Sequence, residues 1–86
     1  MSAVRLEDAV RRVLKDARED ADLTQRELGE RVYRTRDVIA NIEGGRREVR
    51  LSEFVFLAVA LKESPEQLLR RALLLLQLSN AQKVQA

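Results

Sequence analysis

The stretch "RTRDVIANIEGGRRE", residues 34–48, holds the side chains of this chain best suited to recognition chemistry. Arg36, Asp37 and Asn41 crowd the outer side of a short helix, and Gly44-Gly45-Arg46-Arg47 follows its end. Arginine can donate two hydrogen bonds to guanine O6 and N7, and asparagine can pair with adenine N6 and N7, each giving about 1–3 kcal/mol of discrimination. The N-terminus of a helix offers unpaired N–H groups and a positive dipole end to a phosphate. Beyond the helix, Gly44 and Gly45 would let the backbone approach a strand closely, while Arg46, Arg47 and Arg50 supply positive charge.

Other chemistries find little support. The chain has no histidine and no cysteine, which removes the commonest general base, the thiolate nucleophile and the usual metal ligands. Thr24, Thr35, Ser52 and Ser64 each stand where a helix begins and read as caps, with no base to activate them. The carboxylates sit mostly on solvated helix faces. No catalytic site, metal or cofactor is expected.

The 86 residues make one domain. The net charge is only +2, so its distribution matters more than its sum. Residues 31–50 carry six arginines (31, 34, 36, 46, 47 and 50) against three acids, whereas residues 16–30 carry six acids against two arginines. The first residues lack the apolar core of a signal peptide, and "ALLLL" is far shorter than the roughly 20 residues that span a bilayer. A cytoplasmic protein is expected, nucleoid-associated in a bacterium or phage-encoded in its host.

The elements that must hold these side chains are helical nearly throughout. Leu6, Ala9, Val10, Val13, Leu14 and Ala17 follow the i, i+3, i+4, i+7 template of one buried stripe, which predicts a helix over about residues 4–20. "TQRE" from Thr24 is a capping box opening a second helix with Leu28 and Val32 inside. Thr35 opens a third, burying Val38, Ile39 and Ile42 and closing at Gly44-Gly45. A fourth is expected from about Leu51–Ser52 to Lys62, with Phe54, Leu57, Ala58 and Leu61 toward the core. "SPEQ" at Ser64 opens a fifth, expected to end near Leu78. The domain is therefore taken as residues 1–78, with 79–86 as a flexible tail.

The landmarks now assembled, Arg18, "LTQRELG", "VIANIEGGRR" and "LAVALKESPEQLL", stand in order over residues 14–69. Together they resemble the lambda-repressor-like helix-turn-helix domain of the Cro and phage-repressor type, in the xenobiotic-response-element family. The resemblance implies a compact all-α, five-helix domain whose third helix enters the major groove of double-stranded DNA. It implies Arg36, Asp37, Ala40 and Asn41 as base-facing positions and Gln25 as a phosphate contact. Arg34, Thr35, Gly45, Arg46, Arg47 and Arg50 complete the expected backbone contacts. It also implies a salt bridge between Arg18 and Glu43.

Three features depart from the family's pattern. Tyr33 stands in the helix 2–helix 3 turn where glycine is usual and a positive φ is common; either tyrosine takes it at a cost of about 1 kcal/mol, or the turn is built differently or sets the phenol beside a phosphate. Asp37 puts an acid toward DNA, either to accept from cytosine N4 or orient Arg36, or simply as a favourable charge at a helix N-terminus. Helix 4 is apolar almost all round, and helix 5 has Leu74, Leu75 and Leu78 beyond an inner stripe of Leu68, Leu69, Ala72, Leu73 and Leu76, which calls for cover that so small a monomer lacks. A homodimer is expected, with Phe56, Val59, Leu68, Leu74, Leu75 and Leu78 in its interface. The function expected is a dimeric, sequence-specific regulator of transcription, a bacterial or phage repressor on a palindromic operator. The alternative is the antitoxin of a toxin–antitoxin pair, binding a partner protein as well as its own operator.

Overall fold

Five helices follow one another: α1 (Leu6–Asp20), α2 (Gln25–Arg31), α3 (Arg36–Glu43), α4 (Leu51–Ala60) and α5 (Pro65–Val84). The computed structural model describes residues 4–84, with side chains described for residues 4–81. Among the described residues there is no strand, and no helix is long and apolar enough to cross a membrane.

Local chemistry sets most helix starts. Thr24 Oγ1 accepts the Glu27 N–H at 3.1 Å while Glu27 Oε1 accepts the Thr24 N–H at 2.8 Å, the reciprocal pair of a capping box. Thr35 caps α3 by accepting the Val38 N–H at 3.3 Å, and Ser64 caps α5 by accepting the Gln67 N–H at 3.3 Å. Ser52, expected as a cap, lies instead within the first turn of α4. The cap residue is Arg50, whose N–H donates to Glu53 Oε1 at 3.1 Å, so a carboxylate three residues on does the work assigned to a hydroxyl.

The turns explain how short helices pack so closely. Asp22, Tyr33 and Lys62 all take positive φ, at 58°, 55° and 59°, each just after a helix. Between α2 and α3 the chain also comes very near itself. A Cβ on Gly29 would lie 2.6 Å from the Arg34 carbonyl oxygen, and that approach lets the Arg34 N–H donate to Gly29 O at 2.8 Å. This contact sets how α3 leaves α2.

The core joins Ala9, Val13, Leu14 and Ala17 of α1 to Leu28, Val32, Ile39, Ile42, Phe54, Leu57, Ala58, Leu61, Leu68 and Ala72. α1 packs along α5, and α2 against α3. Helix α5 runs to Val84 rather than ending near Leu78, so residues 79–84, expected as part of a flexible tail, continue it. Part of the reason is a contact no local pattern announces. Asn80 Oδ1 accepts the Val4 N–H at 3.0 Å and its amide donates back to Val4 O at 3.4 Å, tying the far end of α5 to the approach to α1. The remainder of the expected tail, residues 85–86, lies outside the described residues.

Candidate nucleic-acid interface

Helix α3 is eight residues long, and its two faces differ sharply. Ile39 and Ile42 are buried and Val38 packs against the core, which turns Arg36, Asp37, Ala40 and Asn41 outward at the i, i+1, i+4, i+5 positions of one face. Arg36 and Asp37 are exposed, and their closest charged atoms are 4.0 Å apart, a loose ion pair. Arg26 of α2 joins this face, since Thr24, Gln25, Arg26 and Arg36 line one shallow concavity. Arg26 was missed from the sequence, where it reads as an ordinary polar residue in the capping box.

Behind α3 a buried ionic network fixes its C-terminal end. Arg18 Nε donates to Glu43 Oε2 at 2.7 Å and its Nη2 to Glu43 Oε1 at 3.0 Å, with side-chain exposures of 10% and 6%. A third bond runs from Arg18 Nη1 to the Leu23 carbonyl at 2.7 Å. The hydrogen bonds to Glu43 raise the Arg18 pKa further against the opposing effect of burial. Gln25, expected to grip a phosphate, donates its amide to Glu43 Oε1 at 3.0 Å. One N–H of that amide is therefore committed within the protein, and the second is the one left for a ligand.

Beyond Glu43 the chain turns back on itself. Gly45 takes φ 77° and donates its N–H to Ile42 O at 3.2 Å, while the Arg46 and Arg47 N–H groups both reach Asn41 O, at 2.9 and 3.2 Å. Arg11 of α1 lies over this turn, because a Cβ on Gly45 would meet its Cζ at 2.9 Å. Arg11 also pairs with Asp8. Arg46 donates from Nε to Asn41 Oδ1 at 3.0 Å.

Arg47 is placed differently from its neighbour. It grips Glu53 of α4 with both arms, Nη1–Oε1 at 3.1 Å and Nη2–Oε2 at 2.6 Å. That hydrogen bonding raises the arginine pKa and is the first cause of the lowered pKa of Glu53. The sequence offered a clue, since Arg50-x-x-Glu53 has capping-box spacing, but nothing local assigns the carboxylate to Arg47 as well. Arg50 is exposed at the α4 cap. Arg34 is exposed too, donating to Tyr33 O at 3.3 Å. Tyr33 itself is 85% exposed.

The apolar residues expected between protomers divide into two groups. Phe56, Val59, Leu74 and Leu78 are exposed, and Leu51 and Val55 extend the outward strip of α4. Leu75 is half-buried against the core. Leu68 is a correction: at 0% exposure it lies at the centre of the monomer's own core and has no surface to offer a partner. Helical spacing puts Leu68 on the inner stripe of α5 with Ala72 and leaves Leu74 outside it, which is how the structure divides them.

The helix pair α2–α3, locked by Gly29 and the turn at Tyr33, with an outward polar face on α3 and cations around its end, is a helix-turn-helix unit. The chain belongs to the helix-turn-helix domain family, which matches residues 9–73. Among solved structures it is similar to the clp gene regulator ClgR from Corynebacterium glutamicum, at 28% identity and a TM-score of 0.86, over 95% of this chain and 87% of that one. A second structure of ClgR from the same organism matches at 28% identity and a TM-score of 0.76, over 83% of this chain and 91% of that one. No protein of curated function matches the chain. The fold is that of a lambda-repressor-like DNA-binding domain.

Proposed function

We propose that this protein is a dimeric, sequence-specific regulator of transcription, a repressor that lays α3 of each protomer in the major groove of a palindromic operator. The observation that carries it is the outward face of α3, where Arg36, Asp37, Ala40 and Asn41 stand together beside Arg46. Similarity to a gene regulator supports the same reading. Arg36 donates to guanine, Asn41 pairs with adenine, and Asp37 accepts from cytosine or steadies Arg36. Gln25, Arg34, Thr35, Gly45, Arg46 and Arg50 meet the sugar-phosphate backbone on either side, while Arg47 is held back from it by Glu53.

The dimer joins through the exposed leucines of α5, Leu74 and Leu78, with the outer strip of α4 beside them. Two copies of α3 then reach grooves about 34 Å apart on one side of the duplex. Such a protein works in the cytoplasm. The decisive experiment is selection of bound fragments from random duplexes. It should return a two-fold symmetric site with half-sites about one helical turn apart. No enriched sequence, even in dilute buffer, would end this reading. Leu78→Glu should give a monomer in sedimentation; a wild type already monomeric at micromolar concentration would remove the dimer.

The apolar strip Leu51, Val55, Phe56 and Val59 of α4 also favours a second reading, an antitoxin that holds a toxin partner while repressing its own operon. Stable co-purification with a second small chain encoded alongside would select it.

A further inference from the structure

We propose that Arg46 acts on base recognition through Asn41, as a positioning residue that fixes which way the Asn41 amide faces. This rests on the reading of α3 as the base-reading helix, and it assigns Arg46 a role beyond a contact with phosphate.

An asparagine that reads adenine uses both ends of its amide at once. Oδ1 accepts from adenine N6 and Nδ2 donates to N7. The reversed amide presents donor to donor and acceptor to acceptor and fails. A lone asparagine on an exposed helix face turns between these orientations, and ordering it on binding costs affinity. Here the orientation is set in advance. Arg46 Nε donates to Asn41 Oδ1 at 3.0 Å, and an amide nitrogen in that place would face a cation with its own hydrogens. Oδ1 has two lone pairs, so one bond from Arg46 leaves the second to accept from a base. Arg46 Nη1 and Nη2 stay available to a phosphate.

The backbone builds this arrangement. The Asn41 carbonyl accepts from both Arg46 N and Arg47 N, at 2.9 and 3.2 Å. The same residue therefore anchors the turn that returns the Arg46 side chain to it. Gly44 gives that side chain its room. Its φ of −83° is ordinary and would suit any residue. A Cβ there, however, would stand 2.8 Å from Arg46 Nη1 and 3.1 Å from its Cζ. Glycine at 44 leaves space for the guanidinium folded along α3.

The test uses the full chain and the duplex obtained by selection, with all four bases placed in turn at the position where Asn41→Ala lowers the preference most without erasing it. Arg46→Ala should lower the preference for adenine there by about tenfold. In the Asn41→Ala background, removing Arg46 should change the preference at that position no further, because the arginine has nothing left to orient. Gly44→Ala keeps both side chains and should weaken the same preference by displacing the guanidinium. Thermal unfolding of each variant checks that the fold is intact.

Uniform weakening of Arg46→Ala on every sequence, with adenine still preferred to the full extent, would reduce Arg46 to a phosphate contact and overturn the proposal. So would an additional loss of base preference from Arg46→Ala in the Asn41→Ala background. A wild type with no preferred duplex would fail earlier, taking the base-reading role of α3 and this proposal together.

Discussion

The two ends of α3 are built in opposite ways. At the N-terminal end Thr35 holds the backbone, while Arg36 and Asp37 are exposed and only loosely paired at 4.0 Å. At the C-terminal end almost every polar side chain has a partner. Glu43 takes Arg18 and Gln25, Asn41 takes Arg46, and Arg47 takes Glu53. Ordering an exposed arginine on binding costs about 0.5–1.5 kcal/mol, a cost that a side chain already held escapes in part. In the proposed complex, one end can adapt to the bases it meets. The other arrives fixed, and fixes the angle of the helix with it.

The contrast is broken most directly by removing Glu43. Glu43→Ala strands the Arg18 charge in a site where its side chain is 10% exposed, and should lower stability by about 3–5 kcal/mol in urea unfolding. For a small domain that is a large share of the total of about 5–15 kcal/mol. A loss below about 1 kcal/mol would mean that water reaches the network, and the C-terminal end is not anchored as described.

Arg36→Ala addresses the opposite end. Stability should change by no more than about 0.5 kcal/mol, as for an exposed substitution. Binding to the selected duplex should weaken by about 1–3 kcal/mol, with discrimination relaxed at one base pair only. Equal losses on the selected site and on random DNA would take Arg36 out of the reading set and leave the N-terminal end without its main contact.

Glu53→Gln sharpens the distinction between neighbouring cations. In the wild type, Arg47 spends its charge on Glu53. Neutralising the acid should cost about 1 kcal/mol or less of stability, because the pair is partly exposed. It should also steepen the salt dependence of DNA binding by roughly one phosphate contact, about 0.9 in slope, as Arg47 becomes available. An unchanged slope would show Arg47 turned away from DNA in either state. Acid should act in the same sense. The pKa of Glu53 is lowered in the folded protein from its usual 4.5, chiefly by the Arg47 hydrogen bond. Its contribution is therefore complete above about pH 4.5 and fades as pH falls through the lowered value. Glu27, lowered by the Thr24 cap, fades over the same acidic range.

How far these differences could be read in advance depended on the distance over which each is determined. The caps at Thr24, Thr35 and Ser64 need only three or four residues of context, and the helices start where those residues place them. The pairing of Arg18 with Glu43 came from the family resemblance, since nothing in the spacing of 25 residues suggests it. Arg47 with Glu53 was hidden because the arginine already had a plausible ligand in DNA. The end of α5 was hidden because Asn80 answers to Val4, 76 residues away. Leu68 could have been kept out of the interface from spacing alone, because it shares the inner stripe of α5 with Ala72, four residues on, and both are fully buried.

The smallest predicted effect tests the hinge that sets the exposed end. Tyr33 stands where positive φ is common but a different turn was also open, and its φ is 55°. A left-handed conformation costs a side-chain-bearing residue about 1–2 kcal/mol, while glycine gives back about 0.5–1 kcal/mol in unfolded-chain entropy. Tyr33→Gly should therefore stabilise the domain by about 0.5 kcal/mol, because the exposed phenol ring loses little packing. If the same variant binds DNA more weakly at every sequence, the tyrosine hydroxyl touches phosphate and the strain is kept for that contact. If binding is unchanged, the strain has no return at the interface. The N-terminal end of α3 then owes its position to Gly29 and the bond from Arg34 to it, and not to the aromatic residue between them.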